Sequence, residues 1–176
     1  GQIYAAECLT EPRGGSDFFG TTTTALRRGD RWVLNGQKRF IVGGDAADYF
    51  LVYARTDPDA APHRGLTCFI VERGPGVHTE YLYGLMGCRG GGTARVVFRD
   101  VEVSDDNVLG QLNGALSVFY PMMIPERLGT AAMTIGAARP ALEIASRYTG
   151  KRKAFGQRIR EFPGVSFQVA EAVTLI

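Results

Sequence analysis

Chemistry that needs clustered sulfur or imidazole has little to work with in this chain. Its 176 residues carry three cysteines, Cys8, Cys68 and Cys88, and two histidines, His63 and His78. The cysteines are widely spaced with no CxxC pair, and the histidines lie too far from each other and from any cysteine pair to nominate a metal. Reduced thiols in a cytosol-like, cytoplasmic compartment fit that usage best. Charge of one sign is lacking too. Twenty basic against 18 acidic side chains leave +2, which gives no overall field to recruit nucleic acid or an anionic membrane. Long apolar runs are missing: Val118 to Ile124 is broken by Pro121 and falls far short of a bilayer span, and no charged-then-apolar leader opens the sequence. The chain starts on Gly1, and Ile176 falls inside an apolar run of helical character, so both ends read as cuts in a longer chain.

What is present is turn chemistry followed by alanine. From Thr21 to Val103 short β-branched and aromatic runs alternate with Gly, Asn, Asp and Pro. They predict strands at 21–27, 32–34, 38–42, 49–54, 67–72, 77–83 and 93–103. That spacing argues for a sandwich or barrel. Asn35-Gly36 reads as a two-residue hairpin and Arg28-Gly29-Asp30 as a tight turn rather than an adhesion motif. From about Asn113, Ala, Leu and Met recur at helical spacing through Ala145, predicting a long helix or a kinked pair, with a bend expected at Pro140. A second helix is expected near Pro163, after a basic connection at 150–161. The fold class is therefore α+β: an antiparallel β-barrel or sandwich domain over 1–112, then the first helices of an α-helical bundle over 113–176.

Two clusters carry chemistry. Glu7-Cys8-Leu9-Thr10-Glu11-Pro12-Arg13-Gly14-Gly15-Ser16-Asp17 packs hydroxyls, glycines and acids into a segment too short for a regular element. Gly14 and Gly15 let backbone approach a ligand, and Thr10 and Ser16 offer small donors. The second cluster is Arg152-Lys153-Ala154-Phe155-Gly156. A third stretch, Cys88-Arg89-Gly90-Gly91-Gly92-Thr93, has the glycines of a phosphate cradle but neither the lysine nor the following helix of a Walker loop, and reads as a turn between strands.

In this order, the first two clusters resemble the TEPxxGSD and RxxFG segments of the acyl-CoA dehydrogenase family, and the resemblance covers essentially the whole chain. It implies a flavoprotein that binds FAD and oxidises an acyl-CoA substrate to its trans-2-enoyl product, with electron-transferring flavoprotein as partner and a homodimer or homotetramer as its assembly. By that resemblance Leu9 and Thr10 would meet the pyrimidine edge of the flavin, and Ser16 would lie toward flavin or thioester. Phe40 and Val42 would form the wall that follows an NGxK segment, here Asn35-Gly36-Gln37-Lys38. Val42 stands where the family carries a threonine, so a side-chain bond from that position is lost. Without the resemblance, Phe40 and Val42 are strand residues on one face.

Arg152 and Phe155 match the segment that in the family reaches a neighbouring subunit's FAD pyrophosphate, a task that suits the planar guanidinium fork. Ala154 and Pro163 depart from the common pattern there. Glu126, followed by Arg127 at a substrate-contacting position, occupies the place where the isovaleryl-CoA and long-chain branches carry the catalytic base. Two readings of Glu126 stand: it is the base, or it is structural and the base lies beyond Ile176. Rival functions are an acyl-CoA oxidase or a flavin monooxygenase on the same scaffold, or a β-domain serving as an interaction module.

Overall fold

The computed structural model describes residues 1–176, which form two compact units, Gly1–Tyr120 and Pro121–Ile176. The first is built on one eight-stranded mixed sheet. Its strands are β1 (Ala5–Cys8), β2 (Thr24–Arg28), β3 (Arg31–Ile41), β4 (Tyr49–Arg55), β5 (Leu66–Glu72), β6 (Val77–Leu82), β7 (Ala94–Val103) and β8 (Val108–Leu109). They pair in the order β6-β7-β3-β2-β4-β5-β8, with β1 on β4. Most pairings are antiparallel, as expected. Two are parallel: β1 runs along the first four residues of β4, and β2 meets the last through Thr24 and Arg55. The ladder does not close, because β6 and β8 each have one partner. Of the barrel or sandwich expected from strand spacing, the closed barrel is not formed and the sheet is mixed, while the α+β order of a strand domain followed by helices holds.

Strands β4 and β5 read as nearly continuous apolar runs because both of their faces are covered. Phe50, Val52, Ala54, Phe69 and Val71 enter one core cluster with Trp32, Leu34, Val96 and Phe98. Tyr53, Leu66 and Cys68 enter a second, closed by Phe18 and Ala115. Phe18 stacks on Phe119 with centroids 4.7 Å apart and meets Tyr53 edge-on at 5.3 Å. In this second cluster burial pushes the Cys68 thiol up to about 12, with Glu7 adding to the effect; such a thiol is an inert packing group.

The Asn35-Gly36 hairpin does not form. Both residues lie inside β3, which continues from Arg31 to Ile41, and the register against β7 slips between Leu34 and Gly36. A bulge replaces the turn for two reasons. The Asn35 side chain clasps Asp100 on β7, donating to its carboxylate at 3.1 Å and accepting from its amide N–H at 2.9 Å. Gly36 lets the chain at Thr23 come close: a Cβ at position 36 would sit 2.7 Å from Thr23 Cα. The real hairpin between β2 and β3 turns at Gly29-Asp30, with Gly29 at φ 63°.

The 121–176 unit is helical. Helix α1 (Leu116–Thr149) runs through Pro121, Pro125 and Pro140 as one element, and α2 (Pro163–Leu175) places Pro163 in its first turn, where a missing N–H costs nothing. Between them the basic connection is a small hairpin, β9 (Lys153–Ala154) and β10 (Gln157–Arg158). No side chain of this unit is buried, and Ile124, Leu128, Ile144 and Phe167 stay open. No helix is long and apolar enough to cross a membrane.

Because backbone and not a flexible tip lies against position 36, Gly36→Ala is expected to lower stability by about 2 kcal/mol. Gly74→Ala, facing open space, should stay within about 0.5 kcal/mol. Urea unfolding of the two variants checks the contrast.

Candidate functional site

The loop after β1 is held from within. Glu11 and Gly14 exchange backbone hydrogen bonds of 3.1 Å in both directions, closing a turn over Pro12-Arg13. Arg13 pairs with Asp17 at 2.7 Å and donates to the Gly20 carbonyl at 3.1 Å, while the Asp17 carboxylate accepts from Gly20 N–H at 3.2 Å. The Glu11 side chain turns inward and is 4% exposed. One of its oxygens accepts from Thr22 N–H and the Thr22 hydroxyl, both at 2.6 Å. The other accepts from Thr23 N–H at 3.0 Å and from Lys38 Nζ at 2.9 Å.

Lys38 is fully buried. Its ammonium also donates to the carbonyls of Leu9 at 3.2 Å and Tyr53 at 2.7 Å, so all three protons have acceptors. Burial alone pushes the Glu11 carboxyl up, but the Lys38 ammonium and the Thr22 and Thr23 donors more than reverse it, to about 2 from an ordinary 4.5. Burial pulls Lys38 below its usual value while Glu11 opposes it. Three acceptors, one a carboxylate, favour its ammonium form against that burial.

Above this pair lies the patch that the sequence singled out. The Thr10 carbonyl accepts from Arg39 N–H at 2.8 Å, bringing the loop beside the residue that precedes Phe40. Gly15 sits against Thr10, where a Cβ would be 3.3 Å from the Thr10 hydroxyl oxygen. Neither the Thr10 nor the Ser16 hydroxyl has a partner within the protein. The Leu9 side chain joins the second core cluster, so its outward contribution is backbone.

Phe40 is not a regular strand residue. It sits at φ 56° in a second register slip of β3, between Lys38 and Ile41, and is 50% exposed. Its ring packs on Tyr83 at 4.4 Å, with the Arg39 guanidinium over both rings and bonded to the Tyr83 hydroxyl at 3.0 Å. Val42 follows the strand end and is 67% exposed. The glycine-rich stretch is more than a turn: Gly43 N–H bonds the Gly91 carbonyl at 2.7 Å and Asp45 N–H the Gly92 carbonyl at 3.3 Å, docking it along the exit of β3. An exposed aromatic and an aliphatic face beside unpartnered hydroxyls suit a flat ligand with apolar faces and a polar edge.

In the second unit Glu126 and Arg127 are exposed neighbours on α1. Phe155 and Gly156 form the two-residue turn of the β9–β10 hairpin, at φ 50° and 82°, and Phe155 is 96% exposed at its tip. The Arg152 backbone is fixed by bonds to Tyr148 and Ile159, both 2.9 Å, while its guanidinium has no protein partner. The candidate residues thus fall as Leu9, Thr10 and Ser16 on the loop after β1, with Thr10 tied to Arg39 next to Phe40 and Val42 following, in one unit, and as Arg152 with Phe155 in the other.

Residues 6–101 match the family model for the acyl-CoA dehydrogenase middle domain, and residues 116–176 match that for the acyl-CoA dehydrogenase C-terminal domain. The chain belongs to the acyl-CoA dehydrogenase family. This family member is 38% identical to the caffeyl-CoA reductase-Etf complex subunit CarC of Acetobacterium woodii, over 99% of this chain and 46% of that protein. A crystal structure of acyl-CoA dehydrogenase from Geobacillus kaustophilus is similar at TM-score 0.94 and 36% identity, over 98% of this chain and 46% of that one. A structure described as the FAD complex of PigA is similar at TM-score 0.92 and 29% identity, over 98% and 45%. The chain spans about half the length of the curated relatives it matches.

Reading the sequence missed the Lys38–Glu11 pair. Glu11 lies in the first cluster and Lys38 closes the Asn35-Gly36-Gln37-Lys38 segment, but nothing in the residue order joined them, and the bulges of β3 hid that this lysine faces inward.

Because the folded value for Glu11 lies below the unfolded one, its contribution is fully present above pH 4.5 and drains away as pH falls toward 2. The shift corresponds to roughly 3 kcal/mol. Urea midpoints measured down that window should fall for wild type, and Glu11→Gln should remove much of the slope.

Proposed function

We propose that the protein containing this chain oxidises acyl-CoA thioesters to trans-2-enoyl-CoA and holds FAD for that purpose. The observation that carries the reading is a loop with two unpartnered hydroxyls, Thr10 and Ser16, tied through Thr10 to the residue before the exposed Phe40 in a chain of this family. Bound FAD supplies the acceptor for the hydride leaving the β carbon. Leu9 and Thr10 offer backbone and hydroxyl groups to the polar edge of the ring, and Phe40 and Val42 cover an apolar face. With valine at position 42, no side-chain hydrogen bond comes from there.

Glu126 takes the proton from the α carbon in this proposal, and Arg127 steadies the substrate beside it. Glu126 is open to water in this chain, so it strips the α-proton efficiently only once substrate excludes that water. Arg152, whose guanidinium is free, grips the diphosphate of FAD in a neighbouring subunit, with Phe155 at the hairpin tip packing beside it. That reach makes a homodimer or homotetramer part of the proposal. Electrons leave to an electron-transferring flavoprotein, a partner supported by the Etf complex named for the A. woodii relative. The three cysteines are unpaired, which suits a reducing, cytoplasmic setting.

Anaerobic mixing of the full-length flavoprotein with a panel of acyl-CoA thioesters tests the reaction: bleaching of the oxidised flavin band is expected with at least one, and no bleaching with any refutes it. Slow reoxidation in air is expected, and fast reoxidation would make the protein an oxidase. Glu126→Gln should retain flavin yet slow its reduction by about 10²- to 10⁴-fold; an unchanged rate returns the base to a segment beyond Ile176. Arg152→Ala should release FAD on dilution while leaving the reduction rate of retained flavin near wild type.

A further inference from the structure

We propose that Lys38 and Glu11 are positioning residues for the cofactor, setting the peptide between Leu9 and Thr10 at the angle the ring edge requires. The inference rests on the FAD reading above and goes beyond it by naming two buried residues that touch no ligand.

The geometry is specific. Lys38 Nζ takes the Leu9 carbonyl at 3.2 Å. In a trans peptide the C=O and the following N–H point to opposite sides, so the bond that draws Leu9 O inward turns Thr10 N–H away from Lys38. The next carbonyl, of Thr10, is held by Arg39 N–H at 2.8 Å. Two successive carbonyls are therefore tied to neighbouring residues of β3, and the Thr10 hydroxyl is left with no partner in the protein. Lys38 is itself aimed by Glu11 and the Tyr53 carbonyl. Glu11 in turn is locked by three donors from Thr22 and Thr23.

A buried ion pair is a poor choice if packing alone is wanted, because apolar residues of similar volume are often as stabilising or more so. What such residues cannot supply is a donor at the Leu9 carbonyl. An ammonium with three fixed acceptors fills that need and leaves the loop a single orientation.

The test is FAD affinity at matched stability, in the full-length protein. Lys38→Met removes the ammonium and keeps most of the volume. Val103→Ala, in the first core cluster and paired with Trp32 at the far end of β3 from Lys38, serves as a control that loses stability away from the loop. Losing one charge-assisted bond should raise the FAD dissociation constant about tenfold, with a shifted flavin absorption band. Val103→Ala should bind within about twofold of wild type. A Lys38→Met protein with wild-type affinity and spectrum, or with a loss no greater than that of Val103→Ala, overturns the inference. Should Lys38→Met fail to fold, Glu11→Gln decides: it keeps size and acceptor, and a dissociation constant unchanged from wild type overturns the proposal while a raised one supports it. A wild-type protein that takes up no FAD sinks the functional reading and the inference with it; a wild type that binds FAD beside an unaffected Lys38→Met sinks the inference alone.

Discussion

The salt bridge between Lys38 and Glu11 is the constraint on which the first unit's architecture turns. Four segments meet at it: the loop after β1 through Leu9 and Glu11, the approach to β2 through Thr22 and Thr23, β3 through Lys38 itself, and β4 through the Tyr53 carbonyl. Leu9, Thr23 and Tyr53 bring backbone groups that would otherwise lose these partners away from bulk water, at a cost of roughly 1–3 kcal/mol apiece. Two charged side chains satisfy six contacts at one point. Removing either charge would strand the other in the interior, which typically costs about 3–5 kcal/mol. The pair is therefore better understood as what the surrounding polar backbone demands than as an added source of stability.

How Lys38 faces inward while Phe40 faces outward follows from the second irregularity of β3. Residues two apart on a regular strand share a face, so Lys38 and Phe40 would otherwise point the same way. The register slip between Lys38 and Ile41, with Phe40 at positive φ, breaks that rule. It leaves Lys38 and Ile41 buried three positions apart and sends the aromatic ring out against Tyr83. One inserted residue separates a structural charge from an exposed aromatic face. Arg39, between them, contributes its N–H to the loop and its guanidinium to the ring pair, coupling the two sides.

Much of this was legible in the order of residues. The strand-rich first part and helical second part follow from the change from β-branched runs to spaced alanines, and Pro163 marked the start of α2. The motifs around Thr10 and Phe155 pointed to the family before any geometry was known. What stayed hidden depends on contacts distant in sequence. Asn35-Gly36 has the local chemistry of a turn, but the clasp to Asp100, 65 residues away, and the close approach of Thr23 make it a bulge. The parallel seat of β1 on β4 and the open edges of the sheet carry no local signature, since strand spacing alone cannot distinguish an open sheet from a closed one. The burial of Lys38 was unreadable for the same reason: without the bulges its face cannot be assigned.

Four of the strained backbone positions fall into two kinds, with Cys88 in neither. Five non-glycine residues have positive φ: Phe40, Cys88, Asp100, Asn113 and Phe155. Asp100 and Asn113 are of the residue types that tolerate that conformation, and both are hydrogen-bonded across the fold, to Asn35 and to the threonines at 56 and 67. Phe40 and Phe155 are of neither type, Phe155 taking its φ from the two-residue turn of the β9–β10 hairpin, which needs a positive φ at both central residues. Both are aromatic, both are open to solvent by half or more, and glycine would relieve the strain at either position. Both rings are presented outward from that backbone region. Strain of that kind concentrates where a protein touches a ligand. Both phenylalanines are among the residues that the proposal above sets against FAD.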